Sequence, residues 1–234
     1  MSEQLKAALA VKSAAPDEET MALINRQAQK ELTAEEVFVF RLAACDNQVD
    51  RDYERFSDAA LDKLAQLFVG KPIIMDHRWS AEKQTARVYA SEVRGEGELK
   101  QLILYCYTIR TEGNTETIAA IEGGIIRECS VGCSVGRSVC SICGAEYGQN
   151  CGHRRGQIYD GKLCCFILDD PHDAYEVSFV AVPAQPGAGI IKSKHYQGGE
   201  DPAPQGDPGP TDEEITLAQA RMELEEKRFG GKSK

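Results

Sequence analysis

Two groups of residues in this chain have the types and spacing that support chemistry. The first is Cys140, Cys143, Cys151 and His153, within the fourteen-residue run CSICGAEYGQNCGH. Two thiolates separated by two residues on a tight turn can hold two corners of a tetrahedral metal site, and Gly144 permits that turn. Cys151 and His153 supply the other corners, with Cys164 or Cys165 as substitutes for His153. The single residue between Cys151 and His153 is tighter than the usual spacing. A donor set of thiolates plus one imidazole favours zinc over iron. Four protein ligands leave no open coordination position, so the role expected of the metal is structural. The alternative is a set of buried or incidental thiols. Arg154 and Arg155 follow directly and offer a small nucleic-acid contact as the weaker reading.

The second group is His77, Ser130 and Glu176. Of the four histidines, His153 belongs to the cysteine cluster, His195 lies beside a linker, and His172 sits in the turn-like stretch DDPHDA. His77 differs, because it ends the apolar run of KPIIMDH, and a strand end is a rigid place to hold a general base. Ser130 opens Ser130-Val131-Gly132. A nucleophilic serine needs a base, an exposed hydroxyl and nearby backbone amides, and glycine lets backbone approach a substrate. Ser134 repeats the pattern four residues on, in the CSVG duplication at 129–136. Cys129 and Cys133 flank Ser130 and are thiol rivals, although Cys129 on a strand points to the opposite face from Ser130. Glu176 opens the apolar run EVSFVAV and could orient a histidine. Each of the three also has a bland reading, as a core or edge residue.

These groups need elements to position them. Alternation predicts strands over Glu36–Ala44, Thr85–Val93, Leu99–Ile109, Ile125–Val135 and Tyr175–Val182, with a short buried strand over Pro72–Met75. The second and third of these are joined across GEGE as a hairpin. Helical spacing at Leu61, Leu64 and Phe68 predicts a helix over Ser57–Phe68, capped by Ser57 or Asp58 and stopped at Gly70. Shorter helices are expected over Glu19–Leu32 and Asn114–Ile121. Many strands, few helices and no regular βαβ alternation predict an α+β fold, a mostly antiparallel β-barrel flanked by helices. The cysteine-rich insertion spans about 138–165.

Composition divides the chain into an N-terminal segment (1–34), a central domain (35–197), a linker (198–210) and a tail (211–234). The linker packs four glycines and four prolines into thirteen positions, which excludes helix and sheet. Thr211 and Glu214 form a capping box for an amphipathic helix, which reads either as docking back on its own domain or as a peptide for a partner. The whole chain has 234 residues, 42% of them hydrophobic, and a net charge of −10. That excludes wholesale disorder and argues against bulk nucleic-acid binding. The linker and tail together hold nine acidic and five basic residues, which is −4 of that charge. No apolar run reaches the length of a membrane span. The N-terminal stretch shows no secretory signal, so the nine cysteines are expected to be reduced thiols.

The order of the motifs carries more than any one of them. A Gly70-Lys71-Pro72 turn leads to an apolar strand ending at His77. Ser130-Val131-Gly132 follows, and then Glu176-Val177-Ser178 runs into Val182-Pro183-Ala184. This set resembles the prohead (capsid maturation) proteases of tailed bacteriophages, serine peptidases related to herpesvirus assemblin, over about residues 35–192. Asp50-Arg51-Asp52 leading into Phe56-Ser57 is similar to the family as well. The resemblance implies a compact barrel with His77 as base and Ser130 as nucleophile. Glu176 is similar to the third member, with Asp173 and Asp76 as rivals. It implies a serine endopeptidase whose substrates are a scaffold or major capsid protein precursor and its own ends. Also implied are a homodimer and a location in the bacterial host cytoplasm within the assembling prohead. The insertion is similar to a zinc-knuckle-like insert of some members. The rival from another class is a non-enzymatic, zinc-bearing capsid assembly or scaffold protein.

Overall fold

The computed structural model of the chain describes residues 15–191. The linker, the tail helix and His195 lie outside them. The described residues contain three α-helices, α1 (Glu18–Asn25), α2 (Asp58–Phe68) and α3 (Thr115–Glu122). The strands are β1 (Val37–Asp46), β2 (Glu54–Phe56), β3 (Pro72–Met75), β4 (Ala86–Glu96), β5 (Leu99–Ile109), β6 (Cys129–Cys140), β7 (Ile158–Tyr159), β8 (Lys162–Leu163), β9 (Phe166–Phe179) and β10 (Gly189–Ile190).

Local chemistry explains the elements nearest the site. Ser57 caps α2 by accepting a hydrogen bond from the Ala60 amide. Leu61, Leu64 and Phe68 then fall on one helix face and are fully buried against β9, β5 and β4. Gly70, at φ +84°, turns the chain straight into β3. The α1 segment adds a small second core, in which Ile24 and Leu32 pack with Val37, Tyr89 and Tyr107.

Eight strands form one sheet in the order β10-β1-β5-β4-β3-β9-β2, with β6 on the other edge of β9; β7 and β8 form a separate hairpin. The ladders are antiparallel except β2–β9 and β3–β9, which are parallel. The sheet does not close, which corrects the expected barrel. Its two ends approach where Glu128 bridges Gly189 and the Ile190 amide donates to the Arg127 carbonyl. Strand β10 is only two residues long, so no continuous ladder forms there.

Strand β9 departs most from expectation. Tyr175–Val182 was to be the strand and DDPHDA a turn, yet β9 runs through Pro171 and His172 and ends at Phe179. The polar, proline-bearing stretch is tolerated because the ladder with β6 is irregular there. The register slips between Gly132 and Cys133 and again between Ser134 and Val135. Proline and extra residues are accommodated at such slips. The strand expected over Ile125–Val135 begins at Cys129 instead and extends to Cys140.

Candidate functional site

The site is assembled on β9 and the strands at its two edges. Strand β3 is pinned to β9 through Ile73↔Val177, Ile74↔Ser178 and Met75↔Phe179. The chain then turns sharply, with Asp76 at φ 53° and His77 at φ 52°. Two consecutive non-glycine residues in the left-handed region cost of order 1–3 kcal/mol each, so surrounding bonds must hold them. Those bonds are present. The Asp76 amide donates to the Phe179 carbonyl (3.0 Å), the Arg78 amide to the Met75 carbonyl (3.0 Å), and the His77 amide to Ser178 Oγ (3.0 Å).

The strained turn presents the His77 ring to Glu176, with Nδ1 2.8 Å from Oε1. Glu176 is 3% exposed. Its other oxygen accepts a 2.7 Å bond from the Ser178 hydroxyl. Both carboxylate oxygens therefore have partners, which a buried carboxylate requires. Because the carboxylate engages Nδ1, Nε2 is the ring nitrogen left to take a proton.

Strand β6 supplies the third component. Ser130 is the register partner of Ser178, Val131 of Val177 and Gly132 of Glu176. Cys129 and Val131 lie with the core, so by strand alternation Ser130 and Gly132 face the side where Glu176 and His77 meet. Gly132 has a specific reason to be glycine, since a Cβ there would collide with Glu176 Oε1. The slip after Gly132 makes Tyr175 and Glu176 together oppose one residue, which turns both side chains away from the core.

Structure thus joins His77 and Glu176 directly and puts Ser130 across one ladder rung on the same face. Among the described residues the Ser130 hydroxyl is not hydrogen-bonded to His77 or to any other group. The two rivals for the acid sit elsewhere. Asp173 is paired with Lys71 at 2.9 Å, and that contact holds its carboxyl below the usual range. Asp76 is exposed. The flanking thiols are unsuited to attack. Burial pushes Cys129 up to about 12 and its thiol donates to the Ala43 carbonyl; burial and the Glu176 charge push Cys133 up to about 11. Sequence reading assigned no role to Ser178 and missed the reason for Gly132. The period-two spacing of Glu176 and Ser178 was a signal for the first, whereas the second needs the ladder register.

The cysteine cluster lies at the far end of the same ladder. The donor atoms of Cys140, Cys143, Cys151 and His153 all fall within 4.8 Å of one another. Cys143 and Cys151 are 3.5 Å apart, and Cys151 Sγ is 3.7 Å from His153 Nδ1. Zinc–thiolate bonds of about 2.3 Å arranged tetrahedrally give sulfur–sulfur edges of about 3.8 Å, so the residues fit a metal. The knuckle forms as expected, with Gly144 at φ +71° and its amide donating to the Cys140 carbonyl at 2.8 Å. Burial opposes ionisation of Cys140, but the amides of Cys143 and Ile142 and the thiols of Cys151 and Cys164 pull it down to about 6. Cys164 Sγ is 3.8 Å from Cys140 Sγ but, like Cys165, lies outside the mutually close set. His153 stacks edge-on with Tyr159, and Arg155 ties the insertion to Glu54 on β2. A bound metal would fasten a segment that has few apolar residues of its own.

Among the described residues no helix is long and apolar enough to cross a membrane. Comparison of the chain with protein-family models, with curated proteins and with solved structures finds no match in any of the three.

Proposed function

We propose that the chain is a serine endopeptidase in which Ser130 is the nucleophile, His77 the general base and Glu176 the residue that orients the imidazole. One observation carries this reading: a strained His77 whose Nδ1 meets the buried Glu176 carboxylate, on the sheet face that also bears an unengaged Ser130. A buried carboxylate is costly, and here it is spent on holding one histidine.

In the proposed cycle His77 Nε2 removes the Ser130 proton as Oγ bonds to the scissile carbonyl carbon. The carbonyl π electrons move onto oxygen and return as the C–N bond breaks. The proton passes to the leaving amine, and water repeats the sequence on the acyl-enzyme. Glu176 stabilises the imidazolium while Ser178 and Gly132 hold the carboxylate in place. Loop and hydroxyl positions in a free enzyme commonly tighten only around substrate, which accommodates the open Ser130. The resemblance to prohead proteases supplies the substrate class proposed: a scaffold or capsid-protein precursor, and the chain's own termini. Zinc bound by Cys140, Cys143, Cys151 and His153 is proposed as a structural ion, which would brace the insertion without entering the reaction.

The test is a fluorophosphonate label followed by peptide mapping, beside cleavage of a co-expressed capsid precursor. The expected result is label on Ser130 and loss of cleavage in Ser130→Ala. Loss of cleavage in Ser134→Ala but not in Ser130→Ala would refute the assignment. Precursor that is never cleaved favours the assembly-protein alternative.

A further inference from the structure

A cleft of about 410 Å³ opens directly beside the His77–Glu176 pair. It lies between β3, β9 and the loop after His77. Buried Ile74 and Ala174 contribute its apolar base, and Glu176 lines one end. Trp79 and Tyr175 form one wall, with ring centroids 5.4 Å apart. Trp79 is 71% exposed, an unusual place to leave the chain's one tryptophan. The slip opposite Gly132 is what brings Tyr175 to this side of the strand together with Glu176.

The charges around the cleft are already answered. Lys71 is paired with Asp173 and Glu176 with His77. The polar rim is engaged too, since Gln84 accepts from Arg87 and Ser80 from the Glu82 amide. A charged side chain entering the cleft would lose water and meet only charges that are already paired. An apolar one would cover exposed aromatic surface.

We infer that this cleft is a specificity subsite, in which Trp79 and Tyr175 receive a bulky apolar side chain of the substrate peptide next to the scissile bond. The inference rests on the protease reading above and adds to it the class of side chain selected. Its dimensions suit one large aliphatic or aromatic group, because such pockets discriminate by the area they cover.

The full chain is given a degenerate mixture of extended peptides, and cleavage sites are read by mass spectrometry. Wild type is expected to favour Leu, Ile, Met, Phe or Tyr at one position flanking the cut. Trp79→Ala and Tyr175→Ala are expected to lower cleavage of those peptides about 10- to 100-fold relative to their alanine counterparts. Tyr175→Phe, which keeps the ring, retains the preference. A wild-type enzyme with no apolar preference overturns the inference, as do variants that lose bulky and small substrates equally. If wild type is cleavage-competent and labelled at Ser130, such a result leaves the protease reading standing. If wild type neither cleaves nor labels, both readings fall together.

Discussion

Strand β6 carries the same four residues twice, Cys129-Ser130-Val131-Gly132 and then Cys133-Ser134-Val135-Gly136, and the two copies have different surroundings. In the first copy Gly132 makes room for the buried carboxylate of Glu176, which is hydrogen-bonded to His77 and Ser178. In the second, a Cβ on Gly136 would meet the ring of His172, an exposed residue beside Asp170, itself paired with Lys63. Ser130 lies opposite buried Ser178, whereas Ser134 lies opposite Asp173, already bound to Lys71. Identical local sequence therefore yields one enclosed polar network and one solvated ionic surface. The strand opposite, with its register slips, makes the difference.

Substitutions in matched pairs test that contrast. The largest effect is expected for the serines: Ser130→Ala should remove precursor cleavage, while Ser134→Ala should leave its rate unchanged, both measured on a co-expressed precursor. On the same assay His77→Ala should reduce cleavage by about 10²–10⁴-fold, the usual worth of a general base. Glu176→Gln, which keeps the shape but not the charge, should fall toward the lower end of that range.

The glycines come next. Gly132→Ala forces the Glu176 carboxylate from its place and should lose activity, with a stability cost of about 1–3 kcal/mol by thermal melting. Gly136→Ala meets the far end of an exposed side chain that can swing aside, so its melting should shift by no more than about 0.5 kcal/mol. Equal effects of the two changes would remove the argument that Gly132 positions the acid.

The cysteine cluster gives a third pair. Cys143→Ser should abolish metal binding, measured as metal content of the purified chain, and should loosen the insertion to proteolysis. Cys164→Ser should retain metal, because Cys164 lies outside the mutually close donors. Loss of metal in Cys164→Ser, with metal retained in His153→Ala, would make Cys164 a ligand and His153 the spare.

The smallest effect belongs to Asp169, between the copies' ladder and α2. It accepts from Ser57 at 2.6 Å and pairs with Arg137 at 2.8 Å. The Ser57 hydroxyl bond, followed by the Asp170 amide and then Arg137, holds its carboxyl below the usual aspartate range. A carboxyl depressed on folding stabilises the fold above its unfolded pKa, and that contribution fades as pH falls through the folded value. Asp169→Asn should therefore cost less than about 1 kcal/mol at neutral pH, after screening. The difference from wild type should shrink as pH falls below the ordinary aspartate range and through the lowered folded value.

Much of the fold was legible where local chemistry decides the outcome. Ser57 as a cap, the buried face of Leu61, Leu64 and Phe68, the stop at Gly70, and β3 and β5 at Pro72–Met75 and Leu99–Ile109 all follow from spacing and turn residues. The Cys140–Gly144 knuckle is local too, so Cys140, Cys143 and Cys151 could be named from the chain alone, with His153, Cys164 and Cys165 left as choices for the fourth donor. Strand β9 was not legible in full. Pro171 and the acidic residues around His172 read as a turn, because nothing in the sequence shows that the partner strand slips to accommodate them.

By itself, then, the sequence determined which residues could act: a histidine at a strand end, a serine before a glycine, a carboxylate opening an apolar run, and a cluster of thiols. Tertiary structure alone decided which of three carboxylates meets His77, and which side of the sheet Cys129 faces. It also decided why Gly132 must be small, and that Tyr175 shares a cleft with Trp79. The physical reason is the range of the interactions. Caps and turns are satisfied within a few residues, whereas strand register is set by partners farther along the chain, about 45 positions for Gly132 and Glu176 and about a hundred for Ile73 and Val177.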